Sequence, residues 1–248
     1  MSKKQAKNTW YPLDNAGVLY SAIQKDRYSA IYRFSAVMTE PVNPPLLQRA
    51  VEKTMPRFPG FAVRMRRGAF WCYFEPNPNP GPFVKQDMVN PCQPVRFRED
   101  NEWLIRIFYY EHRISLEVFH AISDGAGTLV FFRTLLAVYL RELGYAIPNG
   151  PGILDITQPP RKEELEDAYA KYAGQRILRD KLEKTAFPNT SQPEPFYTLN
   201  VTRGLVPVDQ LRKVSQQYSA SVTEYLTAVL LQSLLENQAA RHYRHPRP

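Results

Sequence analysis

Cysteine is scarce in this chain: two occur in 248 residues, Cys72 and Cys92. That excludes a disulfide framework, and the paired thiolate or imidazole spacing of a structural zinc site cannot be built around them. No metal site is therefore expected. Long apolar runs are missing too, since no stretch reaches the ~18 uninterrupted residues of a membrane-spanning helix. The opening Met1-Ser2-Lys3-Lys4 leads into polar residues and Trp10 rather than an apolar signal core, so the expectation is a cytoplasmic protein with no membrane span. Internal repeats are absent. The nearest approach to low complexity is the Asn/Pro-rich run from Pro76 to Pro82, which reads as an extended loop because proline removes donors and restricts its neighbour.

What is present suits a globular fold: 44% apolar residues in a chain long enough for one domain and part of a second. The 32 Lys and Arg outnumber the 24 Asp and Glu to give +8, a charge that can attract the phosphates of a co-substrate, an acidic carrier protein or nucleic acid. A nucleic-acid surface calls for a basic stripe with interleaved aromatics. The basic residues are instead dispersed, apart from Arg64-Met65-Arg66-Arg67 and the tail, so no nucleic-acid partner is expected.

Ser29 to Met38 reads as a strand, and Asn43 before Pro44-Pro45 opens a helix carrying Leu46, Leu47, Ala50, Val51 and Met55 at helical spacing, stopped near Arg57 by Pro56 and Pro59. Alternation through Phe61, Val63 and Met65, a turn at Gly68 and a return over Phe70 to Phe74 form a hairpin. A second hairpin pairs Trp103 to Tyr110 with Ile114 to Phe119. The two-residue period puts Ile114, Leu116, Val118 and hence His120 on one face, directed toward the core. Gly125 to Leu143 is apolar nearly all round, a helix buried against a sheet, and Gly144 ends it. Arg161 to Lys184 reads as a charged helical bridge. Tyr197 to Val206 reads as a strand, Val208 to Tyr218 as a helix, and Ser221-Val222-Thr223-Glu224 as a capping box opening another helix to Leu235. The organisation read from this is an α/β (α+β) two-layer lobe with a mixed, mostly antiparallel sheet and flanking helices over residues 1–160, a helical linker over 161–196, and an incomplete start of a second lobe over 197–248.

A histidine at the end of a buried strand, followed by Asp124-Gly125 at a helix start, places an imidazole at a turn facing a cavity. Neutral imidazole can take a proton near neutral pH, and in acyl transfer one positioned base suffices without a nucleophilic serine. Gly125 permits a tight backbone there, and Asp124 can brace the turn by pairing with an arginine. The same residues also fit a hydrogen-bonded core histidine, with Asp124 or Ser123 as an ordinary helix cap. His112 falls in the hairpin turn as a surface residue, His242 and His245 in a basic tail without the acidic or thiolate neighbours of a metal site, and Cys72 is a packed thiol.

Phe119-His120-Ala121-Ile122-Ser123-Asp124-Gly125, in its strand–turn–helix setting, resembles the His-x-x-x-Asp-Gly motif of the chloramphenicol acetyltransferase-like superfamily, which includes nonribosomal peptide condensation domains and alcohol O-acetyltransferases. Arg57-Phe58-Pro59-Gly60-Phe61 is similar to the Arg-His-Pro-x-Leu stretch of condensation domains, and Trp10-Tyr11-Pro12-Leu13-Asp14 resembles the family's opening segment. The resemblance covers Trp10 to about Leu143, and more weakly Tyr197 to Leu235 as the first elements of a second lobe. It implies that His120 is the general base, that Arg57 holds Asp124, and that His120, Asp124, Gly125 and Arg57 form the catalytic set. It further implies transfer of an acyl group, on the acetyltransferase-like branch an acetyl group, from acyl-CoA or a carrier protein's phosphopantetheine to an alcohol or amine, with no resident cofactor. Phe119 stands where condensation domains usually carry a second histidine, which favours that acetyltransferase-like branch. A non-catalytic module of the same fold that binds a carrier protein or acyl ligand is the alternative.

Overall fold

The computed structural model describes residues 10–25, 28–68, 71–88, 90–164, 166, 171, 194, 195 and 198–240. The chain divides into two units, Met1–Ala173 with Phe196–Leu199, and Gly174–Pro195 with Asn200–Pro248.

The first unit is an α+β lobe built on two sheets. The larger has four strands in the order β2-β7-β6-β5, comprising β2 (Ile31–Val37), β5 (Val84–Gln86), β6 (Ile105–Tyr110) and β7 (Arg113–Phe119). Its β2–β7 and β6–β7 pairs are antiparallel and β5–β6 is parallel, so the sheet is mixed and mostly antiparallel. The smaller sheet, β1-β4-β3, joins β1 (Tyr11–Pro12) to the hairpin of β3 (Val63–Arg67) and β4 (Cys72–Pro76).

Two helices pack with one face of the larger sheet. α2 (Pro44–Thr54) starts where Asn43 accepts a hydrogen bond from Leu46 N (3.1 Å), with proline at its first positions where no donor is lost. α3 (Gly125–Glu142) follows the motif turn, and Gly144, at φ +96°, lies just beyond its end. Leu47, Ala50 and Val51 of α2 and Phe131, Leu135 and Val138 of α3 form one buried cluster with Ile107, Ile114, Leu116 and Val118. The backbone of Asn43 donates to the Tyr139 hydroxyl (2.8 Å), so the largest fully buried side chain of α3 also fixes the start of α2.

Elements beyond those expected include the two-residue β1, the short β5 and the helix α1 (Asn15–Ile23). This helix is capped by Asp14, whose carboxylate accepts from Gly17 N (2.6 Å). β5 is three residues long, too short to show a two-residue period. One expectation is corrected: the described residues from 198 to 206 form no strand. Leu199, Val201, Leu205 and Val206 are exposed there, and an apolar segment without a partner strand has no ladder to satisfy its backbone.

In the second unit, α4 (Val208–Gln217) and α5 (Val222–Ala240) follow the expected pattern. Ser221 and Glu224 form the capping box reciprocally, Ser221 N donating to the Glu224 carboxylate (2.7 Å) and Glu224 N to the Ser221 hydroxyl (3.2 Å). The bridge expected over 161–184 and the tail with His242 and His245 lie almost wholly outside the described residues; within them, Lys162–Glu164 is a short 3-10 turn.

Candidate active site

β7 ends at Phe119, and the turn that follows brings His120 beside residues of two other elements. The backbone N–H of His120 still bonds Ala30 O (2.9 Å), prolonging the β2–β7 ladder by one rung. The imidazole lies flat on the ring of Tyr20 from α1, with centroids 4.0 Å apart at 13°, and at a tilt against Tyr32 of β2, 4.7 Å away at 56°. Tyr32 stands opposite Val118 in the register, which places this contact at the end of the helix-covered face. His120 is half-buried, and neither ring nitrogen has a hydrogen-bond partner among the described residues. The ring is positioned by aromatic faces, leaving its basic nitrogens free.

Tyr32 ties the turn together. Its hydroxyl lies 2.6 Å from Thr128 Oγ1 in the first turn of α3, 3.0 Å from Ser123 O and 2.9 Å from Asp124 O. Burial pushes this phenol up to about 12, partly countered by the Thr128 hydrogen bond, so it remains a neutral donor throughout the neutral range. One aromatic residue thus braces the His120 ring and holds the chain that leads from it into α3.

Asp124 is the N-cap of α3, accepting from Gly127 N (2.7 Å), and it is exposed. The expected Arg57–Asp124 pair is not formed. Arg57 is buried and makes a two-pronged contact with Glu164 (2.5 and 2.8 Å). The physical reason is competition: Asp124 is already engaged by the helix N-terminus and faces solvent, whereas Glu164 offers both oxygens to a guanidinium whose fork geometry favours a bidentate carboxylate. The hydrogen bonds and charge of Glu164, with the Asp155 charge nearby, hold the Arg57 guanidinium above its ordinary range, against the lost hydration of a buried cation, which pulls it down.

The expected tight backbone at Gly125 is also not found, because a Cβ built there would meet only Phe34 Cζ at 4.0 Å. The close approach is at Gly127 instead, where a Cβ would come within 2.7 Å of the Ser123 hydroxyl. Gly125 leaves open space beside the turn, while Gly127 lets the capping turn close.

A cavity of about 220 Å³ opens against Ala121 and Ile122 of this turn, bounded by Leu13, Asp14, Gly60 and Glu164. A larger one, about 570 Å³, lies between the end of α1, the 93–97 loop and Trp103, and no residue of the motif turn lines it. Size alone does not mark the site. No group of three His, Cys, Asp or Glu capable of holding a metal occurs among the described residues, and none of their helices is long and apolar enough to cross a membrane. His112 sits in the β6–β7 turn, and Cys72 is half-buried in β4. Burial, reinforced by the Glu117 carboxylate, pushes the Cys92 thiol up to about 11, so it stays protonated and unreactive near neutral pH.

No family model and no curated protein matches the chain. Solved structures do. A protein from Streptomyces globisporus, SgcC5, is similar at 15% identity with a TM-score of 0.43, over 57% of this chain and 39% of that one. The first condensation domain of the calcium-dependent antibiotic synthetase is similar at 20% identity and 0.43, over 58% and 40%. The starter condensation domain of rhizomide synthetase is similar at 13% identity and 0.47, again over 58% and 40%. The chain spans about two fifths of the length of these structures. With TM-scores under 0.5, the functional reading rests on the chain's own side chains.

Proposed function

We propose that this chain is the histidine-bearing lobe of an acyltransferase, with His120 as its general base. The observation that carries the reading is the imidazole itself, clamped by two tyrosine rings at the end of a buried strand, with neither nitrogen bonded to a partner among the described residues. A core histidine kept for stability satisfies its nitrogens within the fold, whereas a base must keep one for substrate.

In the proposed reaction an alcohol or amine acceptor approaches the open side of the turn at Gly125. Its oxygen or nitrogen bonds to the carbonyl carbon of a thioester while the proton passes to an imidazole nitrogen. The carbon–sulfur bond then breaks, and the imidazolium returns the proton to the departing thiolate. The donor is an acyl thioester of coenzyme A or of a carrier protein's phosphopantetheine, acetyl in the acetyltransferase-like reading, and acts as co-substrate. Asp124 shapes the turn by capping α3, and Arg57 acts at a distance through its contact with Glu164.

The test is transfer from acetyl-CoA and from acyl-loaded carrier protein by full-length protein and by His120→Ala. The variant is expected to lose at least about 100-fold in turnover, the usual contribution of a general base, while keeping its circular dichroism and melting temperature. Turnover within about threefold of wild type would remove His120 from the chemistry and leave a binding module of the same fold as the better description.

A further inference from the structure

General bases are commonly steadied by a carboxylate, which stabilises the imidazolium formed when the proton arrives. No such carboxylate reaches His120 among the described residues. Of the two carboxylates nearest in sequence, Glu117 is engaged by Arg33 and Arg106, and Asp124 is turned to the amide of Gly127 at the start of α3. What the ring does meet is the face of Tyr20 at 4.0 Å and, obliquely, Tyr32 at 4.7 Å. Both separations lie within the ~6 Å over which an aromatic quadrupole attracts a cation.

We infer that Tyr20 is the positioning residue of the site, holding the imidazole by stacking and stabilising its protonated form through the electron-rich ring face, in the place where other sites use a carboxylate. This rests on the reading of His120 as base. Tyr20 and Tyr32 divide the work. Tyr32 is fixed by Thr128 and the 123–124 carbonyls, so it is a rigid wall that orients the turn as well as the ring. Tyr20 comes from α1, whose Asp14 cap and Ser21 hydrogen bond to Gly17 O (2.6 Å) hold the helix in place, and it lies nearly parallel to the imidazole. Among the described residues the titratable groups seen against the ring are these two phenols, with Asp124 four residues along the turn. A proton taken from an acceptor therefore charges a ring that has aromatic faces beside it and, among the described residues, no anion bonded to it, and it leaves again to the thiolate with no net change in the protein.

The quadrupole, not the hydroxyl, is the working part, so Tyr20→Phe is expected to keep turnover within about twofold. Tyr20→Leu preserves bulk and removes the ring face. It is expected to lower kcat about tenfold with KM within twofold, and to shift the pH midpoint of the His120 ring-proton signals about half a unit to acid, the size expected for a partly exposed cation–π contact. Because leucine can disturb packing, replacement of Tyr20 by pentafluorophenylalanine serves as the second variant. It keeps the ring's shape and reverses its quadrupole, and is expected to reproduce the acid shift and the loss of kcat. If His120→Ala abolishes transfer while both the leucine and the fluorinated variants match wild type, the inference about Tyr20 is wrong and the general-base reading stands. If His120→Ala itself is active, both fall.

Discussion

The two faces of strand β7 are equally dry and are held by different physics. Ile114, Leu116 and Val118 point into the cluster under α2 and α3, each with no exposed surface. On the opposite face Glu117 is 2% exposed and sits at the centre of an ionic array. It is the register partner of Arg33 on β2 and of Arg106 on β6, and its carboxylate takes Arg33 Nε (2.8 Å) and Nη2 (2.6 Å), Arg106 Nη2 (2.8 Å) and the backbone N–H of Cys92 (2.6 Å). Arg33 continues to Asp87, which also receives Arg113. One face loses little when a methyl group goes, because the loss is proportional to area. The other is all-or-none, because removing one charge strands its partners away from water.

The largest effect expected in the molecule therefore comes from Glu117→Ala. It leaves Arg33 and Arg106 facing each other across β7 and should cost about 3–5 kcal/mol in unfolding free energy, the usual penalty for breaking a buried ion pair. Chemical denaturation with the slope checked for two-state behaviour measures it. Leu116→Ala on the helix side should cost about 3 kcal/mol, for lost transfer energy plus a cavity between β7 and the helices. If Glu117→Ala proved the milder of the two, the polar face would be ordinary packing with charges attached, and the contrast would collapse. Neither variant touches the His120 ring, so any turnover that survives in folded protein should keep the wild-type pH profile.

The same contrast explains what was legible in the sequence. The apolar face of β7, the amphipathic α2 and the all-round apolar α3 announce themselves by period, and the structure places these elements within a few residues of where the pattern puts them. The polar face does not announce itself. Ser115 and Glu117 in alternation with apolar residues look like a solvated side, yet Ser115 meets Ser35 across the strands and Glu117 meets two arginines and the backbone of Cys92, 25 residues away in sequence. At the site, the turn from His120 to Gly125 was visible as a motif, and Asp124 as a cap was one of the two readings its sequence allowed. The partners of the ring were not visible, since Tyr20 lies on a short helix whose single buried residue is Gly17, and only tertiary structure brings it to the imidazole. Arg57 was marked only by the resemblance, which implied Asp124 as its anion. Which anion was decided by a 3-10 turn over a hundred residues later, whose charged residues carry no period to reveal where they dock.

That last pair offers the smallest and most selective test, because it is an ion pair of the intermediate kind: Arg57 is 5% exposed and Glu164 33%. The hydrogen bonds from Arg57 hold the Glu164 carboxyl below its ordinary value of 4.5. A carboxylate whose value is lowered on folding adds stability that is complete above the unfolded value and disappears as pH falls through the folded one. Wild type should thus exceed Glu164→Gln in unfolding free energy by about 1 kcal/mol at neutral pH, the upper end for a pair that water still reaches on one side. The two curves should converge as pH drops below 4.5, where the wild-type carboxyl also becomes neutral. Arg57→Met, which replaces the buried cation by an apolar chain of similar length, should abolish that pH-dependent difference between glutamate and glutamine at position 164. A difference that persisted unchanged in the Arg57→Met background would mean that Glu164 is stabilised by something other than this guanidinium. It would also return Arg57 to the pool of cations available to Asp124.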